Sequence, residues 1–458
     1  MKLSDTRYES LKTADFNYLW HPFTQHQLWF DADPLIIEQG EGVQLIDVQG
    51  RRYLDGVSSL WCNVWGHAEP SITRAIQQQA SRISHSTLLG LSHVPIIELS
   101  ERLIRFMPES LRRVFYAESG TTAVEAALRM SLEWWEREGT DASRKKTKFA
   151  SLVGGYHGDT LGAVGVGFVE DFHRALKPAV REGWRIRPPH YFRFFERYSP
   201  TAALEASIAS LEQLFAKEAE TIAALIFEPF VQGASGMWIQ PTEFVSAIAE
   251  LCRKHDVLLI ADEVATGFGK TGKMFAIEHA EIKPDLLVLG KGLSGGYLPL
   301  SAVVASDRIF ENFLGSPEEQ KTFAFGTTFS GNPLAAAAGV ANLTLFTEES
   351  VFPKLQRKIE HFTAELARRI APLSHVDEVR QFGLMVGIEL TKTPKTRTPY
   401  AAAELAGARI VREARRLGVI IRPLGNVMVL MPALAMSEEE LSRLVDVTAE
   451  AIEAALGS

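Results

Sequence analysis

Two apolar runs constrain this chain more than anything else in it. VLLIAD, Val257 to Asp262, and LLVLGK, Leu286 to Lys291, carry no polar alternation, and each stops at a charged side chain with glycine close by. A run of this kind reads as a strand buried on both faces, the mark of a parallel sheet. In open parallel sheets ligands bind beyond the carboxyl ends of the strands. Asp262 and Lys291 stand at two such ends.

An isolated Asp and Lys so placed can be a structural ion pair. They are also the pair that pyridoxal phosphate requires. An amine forms a Schiff base with the aldehyde, and a carboxylate holds the protonated pyridine nitrogen. Two nucleotide-like motifs overlap the stretch, and both fail on context. Gly290 to Gly295 matches G-x-G-x-x-G, but Tyr297, Leu298 and Pro299 follow where a helix must open. Gly269-Lys270-Thr271 resembles the end of a P-loop, yet Val264 stands where its first glycine belongs.

The 458 residues are 46% hydrophobic and 23% charged, enough for an ample core and two or three domains' worth of chain. A net charge of -8 argues against nucleic acid or an anionic membrane as partner. The two cysteines, Cys62 and Cys252, have no metal-type spacing and allow at most one disulfide. The polar start shows no signal peptide, and no apolar run approaches the ~18 residues of a membrane span. A reducing cytoplasm is the expected compartment.

Strand and helix signals alternate through the middle of the chain, which makes the class α/β with a mainly parallel sheet. Residues 1–20 read as a helix or arm, and Gly42 to Gly56 as a hairpin turning at Gln49-Gly50. The loop SSLWCNVWGH carries Trp61 and Trp65, suited equally to a satellite core and to a ligand wall. RVFYA leads to Ser119, Gly120 and Thr121, which open a long helix; such a start can bind an anion or be capped by Ser119. KFASLVGGYHGDT places Tyr156 at a strand end, where it can stack on a flat ring or stay a satisfied buried tyrosine. His157 is expected as a loop histidine with a backbone partner. Residues 184–202 read as a long ordered loop. Another buried strand ends at Glu228. Thr327 and Thr328 can donate to a phosphate or cap the turn before a helix at Pro333. From Val351 the pattern changes to long helices and alternating strands, with Arg422 a candidate carboxylate clamp or ion-pair partner.

Taken together, ADEVATGFGKTGKMFA, GKGLSGGYLPLSA, WHPFTQ, DGVSSLW, ISHSTLLGLSH, GGYHGDT, FEPFVQGASGM, TFSGNPLA and IRPLG resemble the class III, fold-type I, pyridoxal-phosphate aminotransferases over nearly the whole chain. That resemblance implies a large cofactor domain with a mainly parallel central sheet, spanning 76–345. It also implies a smaller α+β domain built from both chain ends, 1–75 and 346–458. Lys291 is then expected to carry the Schiff base and shuttle the proton, and Asp262 to pair with the pyridine nitrogen. Gly120 and Thr121 are expected at the phosphate, Tyr156 on the ring, and Glu228 and Val264 along it. Thr327 and Thr328 are expected at the phosphate as well, with Thr328 reaching the neighbouring subunit's cofactor, so a homodimer with interfacial active sites is implied.

The resemblance also implies small-molecule partners: an amino donor and an oxo-acid acceptor whose carboxylate Arg422 receives, near Phe23, Leu60, Trp61, Tyr156, Lys291 and Gly326. The branch it resembles most serves biotin biosynthesis, with S-adenosylmethionine or lysine as donor. That branch often has Tyr at the position of Phe23, Trp at that of Leu60 and Arg at that of Lys270. These departures are expected around the substrate. The alternatives are a relative acting on ω-amino acids or amines with pyruvate, and a non-catalytic or nicotinamide-binding α/β protein.

Overall fold

The computed structural model describes residues 3–457 apart from 182, 191–193, 195–197 and 394–396. At its centre lies a seven-stranded sheet in the order Leu111–Ala117, Ser301–Ser306, Leu286–Leu289, Leu258–Asp262, Ile222–Phe227, Lys148–Leu152, Trp184–Ile186. Ser301–Ser306 runs antiparallel to both neighbours; every other pairing is parallel. The apolar runs are explained by this position. Leu258 and Ile260 pack on one face with Ala123, Ala127 and Met130 of helix Gly120–Glu138. Leu259 and Ala261 face the opposite core with Phe244 and Ile248 of helix Thr242–Lys254. With both faces covered there is no solvent side for a polar residue to face. Two-residue alternation then turns Asp262 toward the face of Leu258 and Ile260, over the start of helix Gly120–Glu138.

Two four-stranded sheets accompany this layer. In one, Gln44–Asp47 and Arg52–Asp55 form the expected hairpin, and Val419–Ile420 joins it in parallel. The two ends of the chain thus share a sheet. The other is an antiparallel four-stranded sheet made from Val376–Phe382, Met385–Leu390, Val427–Leu430 and Arg422–Leu424. Its buried Arg380 bonds Glu389 at 2.8 Å and the Gly236 carbonyl, tying this sheet to the loop after Glu228.

The stretch 184–202 differs from the loop expected. Its first residues, Trp184–Ile186, pair with Ala150 to Leu152 as the sheet's edge strand, and Pro200 opens a helix reaching Glu218. Three residues give too short an apolar run to signal a strand. No helix among the described residues is long and apolar enough to cross a membrane.

Candidate active site

Helix Gly120–Glu138 begins immediately after its strand, and its cap is reciprocal. Ser119 Oγ accepts from the Thr122 N–H at 3.3 Å, while Thr122 Oγ1 accepts from the Ser119 N–H at 3.0 Å. Capping therefore uses neither the Gly120 nor the Thr121 N–H, and these remain at the positive end of the helix. Gly120 has to be glycine: a Cβ there would lie 2.9 Å from Val264. Gly158, at φ +120°, presses on Thr121 so closely that any Cβ would overlap it. The Thr121 and Thr160 hydroxyls meet at 3.0 Å.

These residues line a cavity of about 440 Å³ together with Trp61, Tyr156, His157, Asp159, Glu228, Asp262, Val264 and Lys291. Asp262 and Lys291, from adjacent strands, thus open into one space. The Asp262 carboxylate accepts His157 Nδ1–H at 2.7 Å on one oxygen and the Val264 N–H at 3.0 Å on the other. His157 is fully buried. The expectation of a backbone partner for it is therefore wrong, because the strand-end loop turns its ring onto a carboxylate from a strand 105 residues further on.

Lys291 has φ +40°, immediately after Gly290, and its amine lies 4.9 Å from the Trp61 ring centroid. Burial pushes the amine's pKa down, against the opposing pull of Asp262 and Glu228. Glu228 accepts the Tyr156 N–H at 3.1 Å and the Gly233 N–H at 2.9 Å. Burial raises its pKa to about 7, with the nearby Asp262 charge adding to the rise. Burial, then the Asp159 bond, raises Tyr156.

Trp61 arrives by an unusual backbone. Ser58, Ser59, Leu60 and Trp61 all have positive φ, between 46° and 71°, a left-handed turn of four non-glycine residues. Such residues cost roughly 1–2 kcal/mol each, so neighbours must hold them. Asp55 accepts from the Ser59 hydroxyl at 2.7 Å and from His67 at 3.1 Å. Ser58 Oγ donates to the Met431 carbonyl at 2.5 Å and accepts from Lys270 Nζ at 2.9 Å. Lys270 also donates to the Asn63 and Pro432 carbonyls, at 3.1 and 3.0 Å. It lies inside the protein, pinning the turn, and the expectation that it stands beside the substrate is corrected. Trp65 instead packs on Phe346 and donates to Asn342, so the two tryptophans divide between wall and core.

The other candidate residues lie off this cavity. Phe23 stacks edge-on against Phe172 at 5.3 Å, and Phe172 in turn against Tyr156 at 6.5 Å. Leu60 is 50% exposed. Arg422 is half-buried, lowered in pKa by burial and held up by its interaction with Tyr156. Gly326 and Thr328 are exposed, and Thr327 bonds Ser330 within its own turn. His157, Asp159 and Thr160 were missed as site residues, although GGYHGDT carries them.

Residues 29–452 match the family described as aminotransferase class-III. The adenosylmethionine-8-amino-7-oxononanoate aminotransferase of Nitratidesulfovibrio vulgaris is 44% identical over 98% of this chain and 82% of that protein. The enzyme of the same description from Anoxybacillus flavithermus is 44% identical over 95% of this chain and 94% of its own. The crystal structure of the Methanocaldococcus jannaschii enzyme of that description superimposes with a TM-score of 0.91 at 42% identity, covering 98% of this chain and 99% of that one. An (S)-enantioselective omega-transaminase from Thermomicrobium roseum superimposes with a TM-score of 0.92 at 31% identity, covering 98% of each chain.

Proposed function

Because the chain belongs to the aminotransferase class-III family, whose members depend in general on pyridoxal phosphate, we propose that it aminates 8-amino-7-oxononanoate to 7,8-diaminononanoate in biotin biosynthesis. The amino donor is S-adenosylmethionine or lysine. The observation that carries the reading is that Lys291 and Asp262 share one cavity with a helix start whose cap leaves the Gly120 and Thr121 N–H groups unused. The relatives named for this reaction, at 39–44% identity over nearly the whole chain, support the choice of substrate.

The donor set fits the cofactor. Its anionic phosphate suits the free N–H groups of Gly120 and Thr121, its ring nitrogen suits Asp262, and its aldehyde suits Lys291. Tyr156, Glu228 and Val264 supply walls for the ring. Bound pyridoxal phosphate supplies an electrophilic carbon and a pyridinium electron sink. The rest is done by the chain. Lys291 Nζ, made less basic by burial, would take the proton from the donor carbon bearing the transferred nitrogen and deliver it to the cofactor's former aldehyde carbon, and would run the shift in reverse for the acceptor. Asp262 stays oriented by His157 and the Val264 N–H, a preorganised charge facing the ring nitrogen. Arg422, off the cavity but within electrostatic reach of Tyr156, receives the oxo acid's carboxylate.

In this reading the active enzyme is a homodimer, with Thr328 reaching the partner's phosphate site and Thr327 beside it in the same turn. The exposed apolar side chains Leu89, Leu91, Val94, Ile97 and Phe329 support a covered face near that turn. The units 1–75 with 346–458, and 76–345, are the two bodies between which substrate enters.

A second reading, an ω-amino acid or amine:pyruvate aminotransferase, is favoured by the superposition on an omega-transaminase. Half-reactions separate the two. Cofactor absorbance that changes with S-adenosylmethionine or lysine, and rescue of a biotin-requiring strain, support the first. A change with β-alanine or an aryl amine alone supports the second.

A further inference from the structure

Beside the cavity a second imidazole does not touch the reacting groups, yet both its nitrogens are committed. His173, 2% exposed, accepts the Val169 N–H on Nδ1 at 3.0 Å. That bond fixes the proton on Nε2, which donates to Asp159 Oδ1 at 3.0 Å. Asp159 Oδ2 accepts the Tyr156 hydroxyl at 2.8 Å. The His173 and Tyr156 rings lie nearly parallel, 12° apart with centroids 6.0 Å apart. The same segment packs closely on the backbone of the neighbouring histidine: a Cβ at Gly167 would lie 2.6 Å from the His157 main-chain nitrogen.

Asp159 is half exposed at the cavity wall, and an exposed carboxylate has several rotamers available. Held only by Tyr156, it would leave the tyrosine as free to move as itself. A buried donor with a fixed proton removes that freedom, which is what orienting a binding surface requires.

We propose that His173 is a positioning residue: through Asp159 it fixes the Tyr156 hydroxyl and ring at the wall where cofactor and substrate meet. This deepens the aminotransferase reading and rests on it. The role follows from the direction of the bonds. The chain runs from the Val169 N–H to His173, from His173 to Asp159, and from Tyr156 to Asp159, so the carboxylate is the acceptor shared by both rings. His173→Phe keeps the ring and loses the donor. His173→Gln keeps a donor that reaches where Nε2 stands.

The test compares full-length protein carrying His173→Phe, His173→Gln, Asp159→Asn and the Phe/Asn double change. Two readouts are used: binding of pyridoxal phosphate to cofactor-free protein by tryptophan fluorescence, and KM against kcat for amino transfer. His173→Phe is expected to weaken cofactor binding and raise KM by about tenfold, the worth of one hydrogen bond to a charged group, with kcat changed by less. His173→Gln recovers most of that loss. On the Asp159→Asn background, His173→Phe adds almost nothing, since the two act in one chain. A His173→Phe protein equal to wild type, a Gln variant no better than Phe, or full additivity with Asp159→Asn overturns the proposal. If His173→Phe does not fold, Asp159→Asn and His173→Gln decide: Asp159→Asn is expected to weaken cofactor binding and raise KM while His173→Gln stays near wild type, and an Asp159→Asn protein equal to wild type overturns the proposal. Wild type that transfers no amino group overturns the underlying reading instead, and wild-type activity with an indifferent His173 overturns this inference alone.

Discussion

The His157 imidazole donates to Asp262 across 2.7 Å, with both side chains sealed from solvent. Asp262 faces the cavity with one donor on each oxygen. Removing the imidazole leaves a buried carboxylate half-held. His157→Phe is expected to keep the fold and lower kcat/KM by about 10–100-fold, the worth of a hydrogen bond to a charged group. Steady-state kinetics on folded variant protein checks this, and full activity would contradict it.

Lys270 gives a pH prediction. Burial lowers its pKa to about 7 from 10.5. The unfolded chain holds this proton up to 10.5 and the folded chain only up to about 7. Between those values unfolding takes up a proton, so stability rises with pH, by roughly 1.4 kcal/mol per unit for one whole proton. Denaturant midpoints at alkaline and neutral pH should differ less in Lys270→Met than in wild type. An identical difference in the two proteins contradicts the account.

The left-handed turn at Ser58–Trp61 depends on Asp55, which receives Ser59 and His67. Burial alone would raise its pKa, but those two bonds hold it below the usual value. Asp55→Ala leaves His67 without its buried partner and frees the turn. The expected loss is about 3–5 kcal/mol by denaturation, the cost of breaking a buried pair. Loosening of Trp61 from its place over Lys291 should raise KM in whatever protein still folds.

Arg422 tests the proposed acceptor site. Arg422→Ala should raise KM for the oxo acid by at least about tenfold with little change in kcat, since a carboxylate clamp far from the reacting carbon binds ground and transition states alike. Arg422→Lys should recover only part of this, because one ammonium cannot reproduce the guanidinium fork. An unchanged KM would remove Arg422 from the site.

The seven-stranded sheet was legible wherever a strand is buried on both faces, because Leu258–Asp262 and Leu286–Leu289 leave no room for a polar residue. The same logic brought Asp262 and Lys291 to neighbouring strand ends. Trp184–Ile186 was not legible: an edge strand of three residues leaves no periodic trace. Nor was the His157–Asp262 bond, which joins two segments far apart in sequence and leaves no local pattern. Lys270 misled for a different reason. Its motif lies beside cavity residues in sequence, but the chain turns back at Gly269, φ +86°, and buries the amine under the Ser58 turn. The tyrosine clamp of Asp159 and His173 was hidden likewise, since its acceptor is exposed and its donor sits on a short turn after the motif.

The central claim is that the amine at the end of Leu286–Leu289 is the one that holds the cofactor covalently. Borohydride reduction of the protein loaded with pyridoxal phosphate, followed by proteolysis and mass spectrometry, tests it directly. The account predicts a single reduced pyridoxyl phosphate adduct on Lys291, lost in Lys291→Ala. An adduct on Lys270 or another lysine, or none at all on loaded wild-type protein, would contradict it.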